Sequence, residues 1–275
     1  DGFYTGEVGE AVVQAARDAG GQITIEDLAG FNVVELTPLR TEFDGRVFLT
    51  MPPPSSGGLA MAQVFGLLER TKVRGQMEKN NAAAYTQLVA ERFKHAFADR
   101  ATWLGDPAFV DVPVARLLSG PYLDGLAKRI EISRTHGPEW YGSRPDDEAA
   151  APGAPEDGGT SHLCVVDGDG LAVACTETIN LHFGSLVSSD RLGFCLNNEM
   201  DDFTTRSGEA NAFGLKQSDR NRPAPGKRPL SSMSPTIVLD KDGKVRAVAG
   251  ASGGPAVLTA TGQSLTNKPG RGHNA

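Results

Sequence analysis

One threonine stands where its chemistry could be more than structural. Thr160 follows a Gly-ending stretch rich in proline and acids, and it opens the strand-like run Thr160-Ser-His-Leu-Cys-Val-Val166. A threonine hydroxyl is a poor nucleophile unless a base adjoins it. If the chain is cut before Thr160, the freed α-amine of the same residue, with an ordinary pKa of about 7.7–8.0, can take the hydroxyl proton near neutral pH. A linker, then Gly159-Thr160, then a strand is therefore what a self-processing N-terminal-nucleophile hydrolase needs. The plain alternative is a threonine that merely begins a strand.

A second candidate is Gly250-Ala-Ser252-Gly-Gly254, which fits G-x-S-x-G and sits between a strand-like and a helix-like segment, as a nucleophile elbow does. That triad needs an acid and then a histidine downstream. After Gly253 there is no acidic residue, and the only histidine is His273. The glycines instead suit a tight turn offering backbone N–H groups, as an oxyanion hole would. Asp167-Gly-Asp169-Gly170 lacks the remaining ligands of a calcium loop, including a glutamate at the twelfth position, and reads as a hairpin turn. The five histidines show no zinc spacing. His95 falls in an amphipathic helix and His162 in a strand, so packing is expected for both.

The chain that must position these residues has 275 residues and a net charge of −7, with a pI near 5.3. The negative balance argues against nucleic-acid binding, which needs a Lys/Arg surplus. No apolar run is long enough for a transmembrane helix. Three cysteines, Cys164, Cys175 and Cys195, cannot build a disulfide framework. The 33 glycines and 17 prolines exceed the combined share of about 12% in average proteins, implying many turns.

The first 140 residues read as mostly helical. Helices are expected over Gly6–Ala19, after a capping box at Thr24–Asp27, from a Ser56 cap to Arg70, and over Asn81–Leu104, with short ones near Val114–Leu118 and Tyr122–Ile132. In the long helix Leu88, Phe93, Phe97 and Leu104 share a face, with Glu91, Arg92 and Lys94 off it. Arg46–Met51 is strand-like. Gly142–Gly159 has no aromatic or β-branched residue and reads as a disordered linker. Beyond it the period becomes two: Ser161–Asp167 pairs with Leu171–Thr178, Leu192–Leu196 is a further strand, and Ser234–Asp240 pairs with Val245–Gly250, before a helix over 256–267. An α+β body with a layered sheet core is expected. Its parts are 1–141, mostly helical; 142–159, the linker; and 160–275, β-rich and catalytic.

Six further stretches occur in one order: Gly159-Thr-Ser-His-Leu-Cys-Val-Val-Asp167, Thr176-Glu-Thr-Ile-Asn180, Phe183-Gly-Ser185, Leu196-Asn-Asn-Glu-Met-Asp-Asp-Phe203, Pro225-Gly-Lys-Arg-Pro-Leu-Ser-Ser-Met-Ser-Pro-Thr236 and Ser252-Gly-Gly254. This resembles the start of the small subunit of the γ-glutamyltranspeptidase family. The first half resembles the end of that family's large subunit, through Ile23-Thr-Ile-Glu-Asp-Leu28, Met51-Pro-Pro-Pro-Ser-Ser-Gly-Gly58, Ala98-Asp-Arg100 and Gly105-Asp-Pro107.

The resemblance implies a four-layer αββα sandwich of the N-terminal-nucleophile type, made as one precursor that cuts itself between Gly159 and Thr160 into the two subunits. It makes Thr160 the nucleophile, with Thr178 hydrogen-bonded to its hydroxyl or amine. It gives Asn180, Glu199 and Asp202 the substrate's α-ammonium, Ser231 and Ser232 its α-carboxylate, and Gly253 and Gly254 the oxyanion. The residue chemistry agrees: an ammonium wants converging carboxylates, and a carboxylate wants hydroxyl and N–H donors. The implied reaction is γ-glutamyl transfer from glutathione or another γ-glutamyl amide, through a threonyl ester, to water, an amino acid or a dipeptide, without metal or organic cofactor. Family members usually work outside the cytoplasm, which implies a periplasmic, secreted or cell-surface location.

The competing expectations are a cephalosporin or glutaryl amide acylase of the same superfamily, which Asp202 and Ser231-Ser232 disfavour, and a non-catalytic remnant serving as an interaction module. The family's chain is about twice as long. Segments at both ends, including an arginine expected to grip the α-carboxylate, have no counterpart here. A sandwich short of strands exposes edges, so this stretch alone is expected to be inactive or poorly folded. Phe213 stands in the lid-like stretch where many members have Tyr.

Overall fold

The computed structural model describes residues 2–71, 82–143 and 159–266. Its elements are α1 (Glu7–Asp18), α2 (Ile25–Ala29), β1 (Leu39–Phe43), β2 (Arg46–Thr50), α3 (Gly57–Arg70), α4 (Ala82–Trp103), α5 (Val114–Leu117), α6 (Gly120–Ala127), β3 (Thr160–Val166), β4 (Ala172–Thr178), β5 (Thr236–Leu239), β6 (Val245–Ala249) and α7 (Ala256–Thr266). The predicted helices are all present. The capping box at Thr24 forms in both directions, the Thr24 side chain accepting from Asp27 N and Asp27 accepting from Thr24 N.

Strands β1, β2, β5 and β6 make one antiparallel sheet in that order. Alternate residues of β2 and β5 (Phe48, Thr50, Thr236, Val238) are buried on the side facing the helices. There Phe48 and Val238 pack with Ala60, Met61, Val64 and Phe65 of α3, Phe93 and Ala96 of α4 and Leu258 of α7. The β3–β4 hairpin lies over the other side, touching β5 and β6. Helices, sheet and hairpin are three of the four expected layers. The outward face of the hairpin carries Leu163, Val165 and Val173, which are 46–56% exposed among the described residues.

Besides adding strand β1 and ending the helix expected over Tyr122–Ile132 at Ala127, the structure departs from the sequence reading in five places. First, the sheet joins both halves of the chain: β1 and β2 come from before residue 142, β5 and β6 from after 159. The division at 142–159 is thus one of the chain and not of the fold. Second, Gly142 and Ser143 are fixed to α4, because Gly142 N donates to His95 Nδ1 (3.1 Å), Ser143 N to Asp99 Oδ1 (2.9 Å) and Trp103 Nε1 to Ser143 O (2.7 Å); the rest of the expected linker lies outside the described residues up to 158. Third, Leu192–Leu196 is no strand, since Gly193 turns at φ 66° and only a bridge from Ser188 to Cys195 forms. Fourth, Glu91 and Arg92 are buried, not solvent-facing. Fifth, the Ser56 side chain does not cap α3.

Candidate functional site

The hairpin begins at the candidate nucleophile. Thr160 pairs in register with Thr178, and their hydroxyls lie 3.0 Å apart. Thr178 Oγ1 also donates to Gly159 O (3.3 Å) and accepts from Asn180 N (2.8 Å). Ile179 N donates to the same Gly159 carbonyl at 3.1 Å. With the single Thr178 proton on that carbonyl, the proton shared between the two hydroxyls is that of Thr160. The peptide bond before Thr160 therefore has two donors on its oxygen and a hydroxyl beside it. A Cβ on Gly159 would lie 2.4 Å from Asn180 O, so only glycine lets the backbone come this close.

From Thr178 a chain of hydrogen bonds runs on. Asn180 is buried with φ 75°; its Nδ2 donates to Asn198 O (3.1 Å), while Leu181 N donates to Asn198 Oδ1 (3.0 Å). This pins the helical turn Glu199–Asp202 beside Asn180. Glu199 Oε1 is buried and accepts no hydrogen bond among the described residues. Burial first, then the charges of Asp202 and Asp201, push the Glu199 carboxyl up to about 7. Asp202 is pushed up to about 6 by burial, against the lowering pull of Arg100. Two crowded, underpaired carboxyls are a site that an ammonium would relieve.

Gln217 and Asn221 both donate to Asp202 O, at 3.0 and 2.7 Å. Gln217 Oε1 accepts from Arg100 Nη1 (3.5 Å), and Arg100 Nη2 donates to Ser232 Oγ (3.2 Å). Ser231 is in turn held by the loop before α3. Ser231 N donates to Pro54 O (3.1 Å), and Ser56 donates to Ser231 O from both its N and its Oγ (2.8 Å each). The Pro-Pro-Pro-Ser-Ser-Gly-Gly stretch is therefore the clamp on the serine pair. Ser231 Oγ accepts from Met233 N (3.1 Å).

Gly253 (φ 125°) and Gly254 (φ 50°) form the turn into α7, their carbonyls accepting from Ala256 N and Val257 N. The Phe213 ring lies where a Cβ on Gly254 would go. Phe213 N donates to Asn211 Oδ1 (3.1 Å), and Asn211 Nδ2 donates to Asp202 Oδ1 (3.2 Å), tying this turn to the acidic one. Each site residue expected from the sequence thus belongs to one connected arrangement. His95 and His162 sit outside it: His95 is buried against Tyr141, and the His162 ring packs on Gly250 and bonds Thr176 (2.7 Å). The sequence offers no site role for Arg100 or Gln217 and only a helix cap for Ser56; the Ala98-Asp-Arg100 and Pro-Pro-Pro-Ser-Ser-Gly-Gly runs mark two of the three without their contacts.

The gamma-glutamyltranspeptidase family model matches residues 1–274. The chain belongs to that family. It is 42% identical over 272 residues to the glutathione hydrolase proenzyme of Escherichia coli K12, covering 97% of this chain and 44% of that protein. It is 43% identical over 270 residues to the glutathione hydrolase proenzyme of Pseudomonas aeruginosa (97% and 46%) and 42% identical over 270 residues to glutathione hydrolase 2 of Arabidopsis thaliana (96% and 44%). The chain spans about half the length of the relatives it matches. Cephalosporin acylase from Bacillus halodurans superposes with a TM-score of 0.70 at 23% identity, over 97% of this chain and 44% of that one, which establishes the shared fold.

Proposed function

We propose that this gamma-glutamyltranspeptidase family chain carries the self-cleavage and γ-glutamyl-transfer site of its protein. The observation that carries the reading is the Gly159 carbonyl held by Ile179 N and Thr178 Oγ1 beside the Thr160 hydroxyl. In the first reaction Thr160 Oγ1 bonds to the Gly159 carbonyl carbon, and negative charge on that oxygen meets two fixed donors. The Gly159–Thr160 C–N bond breaks, the nitrogen takes up the hydroxyl proton, and an ester remains. Water hydrolyses the ester to a Gly159 carboxylate and a free Thr160 amine and hydroxyl.

In the second reaction the freed amine takes the Thr160 proton as the hydroxyl attacks a γ-glutamyl amide carbonyl. Glu199 and Asp202, with Asn180, suit the substrate α-ammonium, and the Ser231 and Ser232 hydroxyls suit its α-carboxylate. The Gly253-Gly254 turn suits the oxyanion. The leaving amine departs with the proton, and water or an amino acid or dipeptide amine takes the acyl group from Thr160. The glutathione hydrolase relatives support glutathione as a donor.

Mass spectrometry of the purified protein, prepared at the full length of its relatives, tests this, with γ-glutamyl-p-nitroanilide turnover alongside. Two pieces split at Gly159/Thr160 and turnover are expected, and Thr160→Ala should abolish both. A stable intact mass after prolonged incubation, or undiminished turnover by Thr160→Ala, would overturn the reading, and a preference for the glutaryl anilide would move it to the acylases.

A further inference from the structure

Arg100, near the C-terminal end of α4, is 2% exposed. Its guanidinium donates to three neutral oxygens: Nε to Ser56 Oγ (3.0 Å), Nη1 to Gln217 Oε1 (3.5 Å) and Nη2 to Ser232 Oγ (3.2 Å). Among the described residues no carboxylate lies within ion-pair distance of it. The charge of Asp202 bears on it from beyond ion-pair distance, so a buried guanidinium bonded only to neutral oxygens has room for a second, closer anion, and a bound carboxylate would relieve its burial. The bonds say where. A guanidinium can only donate, so Ser232 Oγ accepts from Arg100 and must direct its own proton elsewhere. Ser231 Oγ likewise accepts, from Met233 N. Ser56, accepting from Arg100 Nε, passes its proton to Ser231 O. Two adjacent hydroxyls, each with a donor behind it, are thereby turned into donors, which suits a carboxylate and not an ammonium.

We propose that Arg100 is a positioning residue for the substrate α-carboxylate: it fixes the polarity of Ser232 directly, holds the Ser231 backbone through Ser56, and supplies positive potential from behind the hydroxyls. This rests on the reading of Ser231-Ser232 as the carboxylate subsite.

The test uses the purified protein at the full length of its relatives and two anilides: γ-glutamyl-p-nitroanilide, and 4-aminobutyryl-p-nitroanilide, which lacks the α-carboxylate. Arg100→Gln should lower kcat/KM for the γ-glutamyl substrate at least about tenfold, the size of one lost charge-assisted hydrogen bond, chiefly through KM. The 4-aminobutyryl substrate should change less than about twofold, and in a Ser232→Ala background the Arg100→Gln loss should shrink below about threefold. Equal losses on both substrates, or losses that add in the double variant, would overturn the proposal. If Arg100→Gln is insoluble, Arg100→Lys decides, because it keeps the charge but cannot fork to Ser56 and Ser232 together: preference for the γ-glutamyl substrate should fall about tenfold, and an unchanged preference overturns the role. Wild-type protein that neither cleaves nor turns over a γ-glutamyl anilide sinks the functional reading as well, whereas normal wild-type turnover with unchanged discrimination in the variants sinks only Arg100.

Discussion

Gly57 gives the sharpest test of the clamp on the serine pair. It is the first residue of α3, and a Cβ there would lie 2.5 Å from Met233 O, 2.6 Å from Ser234 Cβ and 2.9 Å from Ser234 Cα. Two of the three are backbone atoms, so no side-chain rotation relieves the clash. Ordinary contact distances require the helix and the 231–234 segment to part by about 1 Å. The bonds from Ser56 to Ser231 O at 2.8 Å and from Ser231 N to Pro54 O at 3.1 Å would then stretch past useful length. Overpacking of this kind costs about 1–3 kcal/mol of stability. A misplacement of about 1 Å at a binding constellation costs on the order of 100-fold in rate. Gly57→Ala should therefore lose roughly that much kcat/KM on γ-glutamyl-p-nitroanilide. Cleavage before Thr160 should continue, because the donors to Gly159 O lie within the β4 end and do not pass through α3. Gly125→Ala is the control: a Cβ in α6 meets nothing within 4 Å, so it should be neutral or stabilise by about 0.5–1 kcal/mol. Thermal unfolding, kinetics and a denaturing gel read all three effects. If Gly57→Ala matches Gly125→Ala in kcat/KM and Tm, the close approach of α3 to the serine segment is not what positions it.

Two further outcomes follow from the same contacts. Glu199 and Asp202 titrate near 7 and 6 in the folded protein, so KM for a γ-glutamyl amide should fall as pH rises from about 5.5 to 7.5 and the carboxyls ionise. Both pKa values are raised on folding, so their contribution to stability is present at low pH and is lost as pH rises through the folded values. Glu199→Gln should raise KM about tenfold and flatten the Tm profile between pH 4.5 and 7; a KM profile unmoved by Glu199→Gln would refute the ammonium assignment. Thr178→Val removes the hydroxyl between Thr160, Gly159 O and Asn180 N; cleavage should slow by about 100- to 1000-fold, the usual loss for one oxyanion donor, with Thr178→Ser restoring it. Mass spectrometry against time checks this, and an unchanged rate refutes it.

What was legible in the sequence was local. The Thr24 box, the Asp167–Gly170 turn and the two late hairpins depend on residues a few positions apart, and all formed. β1 escaped notice although its signal was present: Phe43-Asp-Gly-Arg46 turns at φ 52° and 71°, the two-residue hairpin that Asp-Gly favours. Leu39–Phe43 has apolar side chains only at its ends and so lacked the alternation that marks a strand. Glu91 was misjudged for the opposite reason. A charged residue in a helical pattern is expected on the wet face, but Glu91 is held by Lys94 and Tyr141 Oη and by Thr135, the last two some 40 to 50 positions away. The candidate site divides in the same way. The glycine turn suited to an oxyanion is readable from residue types and the ammonium and carboxylate roles come from the family resemblance, whereas Arg100 finds its partners 44, 117 and 132 positions away, beyond what its local run shows.

That long-range wiring also explains how such a chain could tolerate a cut before Thr160. The break would fall between β2 and β5 in sequence, yet these strands pair in register from Val47–Leu239 to Thr50–Thr236. Phe48 and Val238, one from each side of the break, share a core with α3, α4 and α7. Leu230 packs with Leu59, Leu104 and Leu117 from the other side. The covalent link across 144–158 is thus one connection among a sheet ladder, two apolar clusters and the Ser56–Ser231 and Arg100–Ser232 bonds. A cut there would free the Thr160 amine without freeing the halves. Arg100 and the Pro-Pro-Pro-Ser-Ser-Gly-Gly clamp would then precede the break and still hold the serine pair of the proposed site, whose threonine follows it.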